Sequence, residues 1–220
     1  MIPLRDVIPS RTTPYITITI IGLNALAWGY ELTLPDYQLN VFLQTFGVVP
    51  GSFSAPTLIT SMFLHASWSH VIGNMWYLWI FGDNVEDRVG HGRFIIFYLL
   101  CGVAAAFGQI AMDASSLLPT IGASGAIAGV MGAYFVLYPQ SRVYAIVPPF
   151  IYNIFEIPAI FLLGIWFLMQ LFSAGAIAVT ASTNGGGGGV AFMAHVAGFL
   201  VGIVGVFLFK KRQQEDTYWA

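Results

Sequence analysis

Six apolar segments, beginning near Tyr15, Ser69, Arg93, Ser124, Phe155 and Val190, divide this sequence and leave little chain over. Each is close to the roughly 20 helical residues that cross a bilayer. Their ends fall at polar or helix-breaking points: the Asp83 to Arg88 charge cluster, Asp113, Pro139, near Thr180, and the closing Lys210-Lys211-Arg212. With 57% hydrophobic and 8% charged residues, the 220-residue chain lacks the polar surface that a soluble domain of this size needs. The expected fold is all-α, a polytopic membrane protein. An N-terminal segment (1–14) and a C-terminal tail (211–220) would flank one six-helix membrane domain (15–210).

The basic residues orient it. Arg5 and Arg11 precede the first span, Arg88 and Arg93 lie between the second and third, and Arg142 lies between the fourth and fifth. Lys210, Lys211 and Arg212 follow the sixth, so all eight fall on one side and the opposite loops carry none. This positive-inside asymmetry predicts both termini in the cytoplasm, with the protein in the cell membrane. The outer side then holds a long first loop from about Glu31 to Trp68, a short one around Asp113 to Thr120, and the Gly185 to Gly189 run. A net charge of -2 without a basic tract excludes a nucleic-acid footprint. The single cysteine, Cys101, excludes an intramolecular disulfide framework and reads as a small buried hydrophobe. Met1 to Thr13 lacks the apolar core of a cleavable signal peptide.

Polar side chains inside membrane helices are costly, so each one present needs a reason. Three groups stand out: His65, His70 and Asn74 at the outer entrance to the second span; Gly122-Ala123-Ser124-Gly125 opening the fourth; and Ala194-His195 with Gly198 and Gly202 in the sixth. The second, fourth and sixth spans all begin on the outer side, which puts the three groups at one depth. The fourth span, Ser124 to Pro139, is too short to reach the outer surface at 1.5 Å per residue. Irregular backbone from Leu117 to Thr120 must cover the difference, which is tolerated at that depth only inside protein or around a wet cavity. A sunken pocket with Ser124 at its floor follows. Glycines at three- and four-residue spacing on both the fourth and sixth spans allow close approach, and with it a bond from His195 to Ser124. A serine at a helix N-terminus, paired with an imidazole, is the minimum for nucleophilic acyl transfer with an oxyanion beside it.

Taken in this order, the three motifs resemble the rhomboid intramembrane proteases in their basic six-helix form, over roughly Leu58 to Phe209. The resemblance implies a serine endopeptidase that cuts single-pass membrane proteins and needs no cofactor or metal. Ser124 would be the nucleophile and His195 the base, a dyad with no required Asp. His70 and Asn74 would serve the oxyanion, with the Ser124 backbone N–H. His65 matches a structural position supporting the first loop; Gly122, Gly125, Gly198 and Gly202 support the helix contacts. Glu86 and Arg88 match the family's Glu-x-Arg and suggest a structural ion pair. Two departures stand beside these matches. The family's frequent Trp-Arg pair is missing upstream of His65, where the chain reads Ala55-Pro56-Thr57-Leu58, so the loop must be anchored differently. Ala128 stands where some members stack a Tyr on the catalytic His, which leaves the orientation of His195 without an obvious source. The glycine run before the sixth span reads as a mobile cap over the site.

Blander readings exist for each residue taken singly. Ser124 alone could be a helix N-cap, His195 a packed histidine, and Asn74 interhelical glue. Asp113 and Glu156 read as solvated groups near helix ends, and His91 as a plain loop residue. Three intramembrane histidines could suit zinc, but no His-Glu-x-x-His or accompanying carboxylate occurs. A small transporter is disfavoured because the spans show no repeat of two related halves. A catalytically silent rhomboid-like binder of membrane helices is the remaining alternative.

Overall fold

In the computed structural model, residues 1–184 and 191–210 are described, and they are mostly helical. Among the described residues run eight α-helices: α1 Tyr15–Glu31, α2 Asp36–Phe46, α3 Thr57–Thr60, α4 Trp68–Val89, α5 His91–Met112, α6 Ser124–Leu137, α7 Ala159–Asn184 and α8 Phe192–Phe209. Three of them are long and apolar enough to cross a membrane: α5, α7 over Ala159–Ala176, and α8. Large apolar side chains such as Leu26, Phe172 and Leu208 face outward. That inversion suits hydrocarbon surroundings, and the chain is a multi-pass membrane protein.

Local chemistry sets the helix ends that matter. Ser67 caps α4, its Oγ accepting from the His70 N–H at 3.2 Å. Gly90, at φ 86°, separates α4 from α5 in a conformation open to glycine. α6 is the buried axis of the bundle, with every residue from Gly125 to Tyr134 buried. At 14 residues it is about 21 Å long, well short of a hydrocarbon core of about 30 Å. Its glycines face α8 at backbone contact: a Cβ on Gly198 would collide with the Gly125 carbonyl, one on Gly202 with that of Gly129, and one on Gly132 with that of Phe199. Small residues bring the two helices this close, since apolar side chains alone gain little by leaving lipid for protein. Beside this contact Cys101 and Ala105 of α5 fill the space over Gly129 and Gly125.

Several expectations need correction. A purely α-helical fold omits a three-stranded antiparallel sheet, in the order β1-β2-β3, made of Ile2–Asp6, Arg142–Val147 and Phe150–Pro158. The expected fifth span therefore starts at Ala159, because Phe155 belongs to β3 and pairs with Ala145. β-Branched and aromatic residues dominate 143–157, and alternation there puts Val143 and Ala145 inside. A purely apolar scan merges such a strand with the helix that follows it. Residues 2–6, within the N-terminal segment 1–14, dock on the bundle. The Trp76 indole donates to the Pro3 carbonyl at 2.6 Å, and the Asp6 carboxyl accepts from the Tyr134 hydroxyl at 2.7 Å and the Asn84 amide at 3.1 Å. Burial beside Asp83 raises the Asp6 carboxyl to about 6.

Glu86 does not pair with Arg88. Its fully buried carboxylate accepts from the Ile16 N–H at 3.0 Å, the Thr17 N–H at 2.8 Å and the Thr17 hydroxyl at 2.7 Å. It thus caps α1, whose own N-cap position, Pro14, offers no side-chain bond. His91, expected as a plain loop residue, contributes Nδ1 at 2.5 Å to the same carboxylate. Glu156 lies in β3 and pairs with Arg142 at 3.4 Å. The Gly185 to Gly189 run, with Lys211 and Arg212, lies outside the described residues.

Candidate active site

The fourth expected span begins as anticipated, at Ser124, immediately after a turn that only glycine suits. Gly122 has φ +120°, and a Cβ there would lie 2.7 Å from His70 Cε1 and Nε2. Its N–H donates to the Ser61 carbonyl at 2.8 Å, fixing the descending segment to the loop before α4. The first bond within α6 runs from the Ile127 N–H to the Ala123 carbonyl, so the N–H groups of Ser124, Gly125 and Ala126 have no partner inside the helix. These donors and the helix dipole favour negative charge beside the serine.

Across the α6–α8 contact, His195 stands in the first turn of α8 with Nε2 2.7 Å from Ser124 Oγ. Two residues 71 positions apart in sequence are thereby in hydrogen-bond contact. They open onto a cavity of about 900 Å³ bordered also by His70, Asn74, Tyr77 and Trp166. His70 and Asn74 lie on one face of α4, as a spacing of four requires, and Asn74 is buried.

His65 is shut away from the cavity and organises the first loop. Its backbone N–H donates to both oxygens of the Glu31 carboxylate, at 3.2 and 3.3 Å, and its Nε2 lies 3.0 Å from Asn74 Nδ2. Its ring meets that of His70 in a T-shaped contact at 5.0 Å between centroids. Burial next to His70 lowers the His65 imidazole to about 4, which keeps it neutral at physiological pH. Glu31, at the end of α1, is the loop anchor that the missing Trp-Arg pair left unassigned. Glu31 is absent from the motifs that the sequence displays, although a carboxylate closing an apolar helix is a visible signal. Asn74 spends one amide hydrogen on His65 and retains another for the cavity.

The second residue missed is Gln170 of α7. Its Oε1 lies 2.8 Å from Nδ1 of His195, on the side of the ring opposite Ser124. One turn earlier, Trp166 sets its indole against the same ring, at 5.9 Å between centroids and 35° between planes, while Phe192 meets it edge-on at 6.4 Å. A lone amide in the apolar run from Phe161 to Phe172 was the available signal.

The Rhomboid domain family model matches residues 53–212, which contain every one of these cavity residues. The chain belongs to the rhomboid family. It is 28% identical over 198 residues to Rhomboid-like protein 11, chloroplastic, of Arabidopsis thaliana, covering 86% of this chain and 66% of that protein. Over 85 residues it is 42% identical to Rhomboid protease GluP of Bacillus subtilis, covering 39% of this chain and 16% of the relative. A third relative, the mitochondrial presenilin-associated rhomboid-like protein of Mus musculus, is 32% identical over 60% of this chain and 36% of its own length. This chain thus spans between 16% and 66% of the length of these rhomboid relatives.

Proposed function

We propose that this rhomboid-family protein is an intramembrane serine endopeptidase that cuts single-pass membrane proteins. The observation that carries the reading is the 2.7 Å approach of His195 Nε2 to Ser124 Oγ at the wall of a 900 Å³ cavity. In that geometry the imidazole takes the hydroxyl proton as the serine oxygen attacks a peptide carbonyl. The proton then passes to the leaving amine. Water, activated by the same imidazole, hydrolyses the acyl-enzyme and regenerates the dyad. Negative charge on the tetrahedral oxygen would be met by the Ser124 backbone N–H, by His70 and by the second amide hydrogen of Asn74. The neutral, buried His65 supports this by holding Asn74.

Six spans are the arrangement that best fits the helices: α1, α4 and the short α6 join the three long apolar ones. The eight basic residues then place both termini on the cytoplasmic side of a cell membrane, with the cavity opening outward. A substrate helix must unwind to present an extended segment to Ser124, so Gly or Pro near its cleavage site should favour cutting.

Activity-based labelling of the purified chain with a fluorophosphonate, in detergent or liposomes, tests the reading. Wild type should label, and Ser124→Ala and His195→Ala should not. Labelling that survives in Ser124→Ala rejects that nucleophile, whereas a folded wild type that never labels points to a silent binder of membrane helices.

A further inference from the structure

We propose that Gln170 is a positioning residue for His195, the third member of a Ser–His–Gln array; this rests on the serine-protease reading above. A base that takes the Ser124 proton must present a lone pair at Nε2, so the ring's one proton must sit on Nδ1. Imidazole exchanges freely between its two tautomers unless a neighbour selects one. The Gln170 carbonyl oxygen, 2.8 Å from Nδ1, is an acceptor and selects the productive form. The same bond fixes the ring's rotation, which sets where Nε2 points.

Two ring contacts, from Trp166 and Phe192, reinforce the bond. Trp166 and Gln170 are four residues apart and therefore share a face of α7, so one helix supplies both an acceptor and an aromatic wall to the imidazole. Ala128, fully buried in α6, carries no ring that could stack on the histidine. Both the acceptor and the aromatic wall of the ring therefore come from α7.

An amide is also the economical choice at this depth. A carboxylate would hold the tautomer more strongly but would carry a charge into a low-dielectric site. A neutral carbonyl avoids that desolvation and still accepts the Nδ1 hydrogen. It also gives less support to the imidazolium formed during attack, so the dyad should work with a modest rather than large contribution from its third member.

The test compares the full chain in liposomes with Gln170→Met, which keeps length and loses the acceptor, and Gln170→Glu, which keeps an acceptor and adds charge. Fluorophosphonate labelling rates are measured from pH 5 to 9, with thermal midpoints recorded for each variant. Gln170→Met should label about tenfold or more slowly at an unchanged midpoint, as expected when a general base loses its orientation. Gln170→Glu should retain most of the rate and move the acid limb of the profile to higher pH, because a nearby negative charge favours the protonated imidazole. Wild-type labelling with a Met variant that is equally fast and has the same limb overturns the proposal. So does loss of labelling in Gln170→Glu at a normal midpoint, since an acceptor would then be insufficient. Should Gln170→Met not fold, the Glu limb decides: a shift supports the role and an unshifted limb rejects it. Failure of folded wild type to label removes the protease reading and this inference together.

Discussion

Replacing Glu86 with Ala should unlatch the first helix from the bundle, and the structure gives the size of the effect. Three donors of α1 converge on this carboxylate: the Ile16 and Thr17 N–H groups and the Thr17 hydroxyl, at 3.0, 2.8 and 2.7 Å. Thr17 is fully buried, so its two donors cannot turn to solvent when the acceptor is gone. Leaving a buried donor unsatisfied costs about 1–3 kcal/mol, which gives about 2–6 kcal/mol for the pair. Ile16 is partly exposed and can be hydrated, adding little. Loss of negative charge at a helix N-terminus adds about 0.5–1 kcal/mol. We expect a destabilisation of about 3–5 kcal/mol, with Glu86→Gln intermediate because a single amide oxygen serves fewer donors. Reversible unfolding in mixed detergent micelles, followed by near-ultraviolet circular dichroism, measures it. A Glu86→Ala protein within about 1 kcal/mol of wild type would refute this account of how α1 is held.

Three further outcomes are expected. Gly202→Ala should destabilise by about 1–3 kcal/mol or more, since its Cβ would run into the Gly129 carbonyl, whereas Gly175→Ala, with nothing within 4 Å, should be neutral or slightly stabilising; paired unfolding curves in one detergent separate the two. Gly122→Ala combines a φ of +120° with collision against the His70 ring, so fluorophosphonate labelling should fall by tenfold or more even where the protein folds. The His65 imidazole, lowered to about 4 from an ordinary 6.5, gives stability that is complete above pH 6.5 and is lost progressively as pH falls toward 4, because the unfolded chain binds the proton first. That amounts to at most about 3 kcal/mol, with Glu31 and His70 as its charged or titratable neighbours, and His65→Gln should flatten the dependence of thermal midpoint on pH between 4 and 6.5.

Membrane residence was legible because hydropathy is additive along the chain: a run of apolar residues needs no knowledge of its neighbours to be costly in water. The starts of α1, α4 and α6, at Tyr15, Trp68 and Ser124, fall within a residue of the apolar segments read as beginning near Tyr15, Ser69 and Ser124. Glycine spacing on α6 and α8 foretold their contact, since a residue without a side chain inside a membrane helix can only admit another backbone. Spacing also placed His70 and Asn74 on one face. The hairpin at 142–158 escaped notice because its apolar composition matches that of α7, and strand pairing with residues 2–6 spans some 140 positions. The Glu-x-Arg spacing points Glu86 to its sequence neighbour Arg88, whereas packing delivers the N-terminus of α1 to it.

Sequence by itself thus determined that the chain is a multi-pass membrane protein, that it is mostly helical, and which side chains in its apolar segments demand a polar partner. Only the tertiary structure decided the partners: His195 with Ser124 and Gln170, Asn74 with His65, Glu31 with the His65 backbone. Periodicity is a property of neighbours three or four residues apart and fixes which way a side chain faces. A hydrogen bond between helices depends on their relative height and rotation, which every packed side chain along their length sets together.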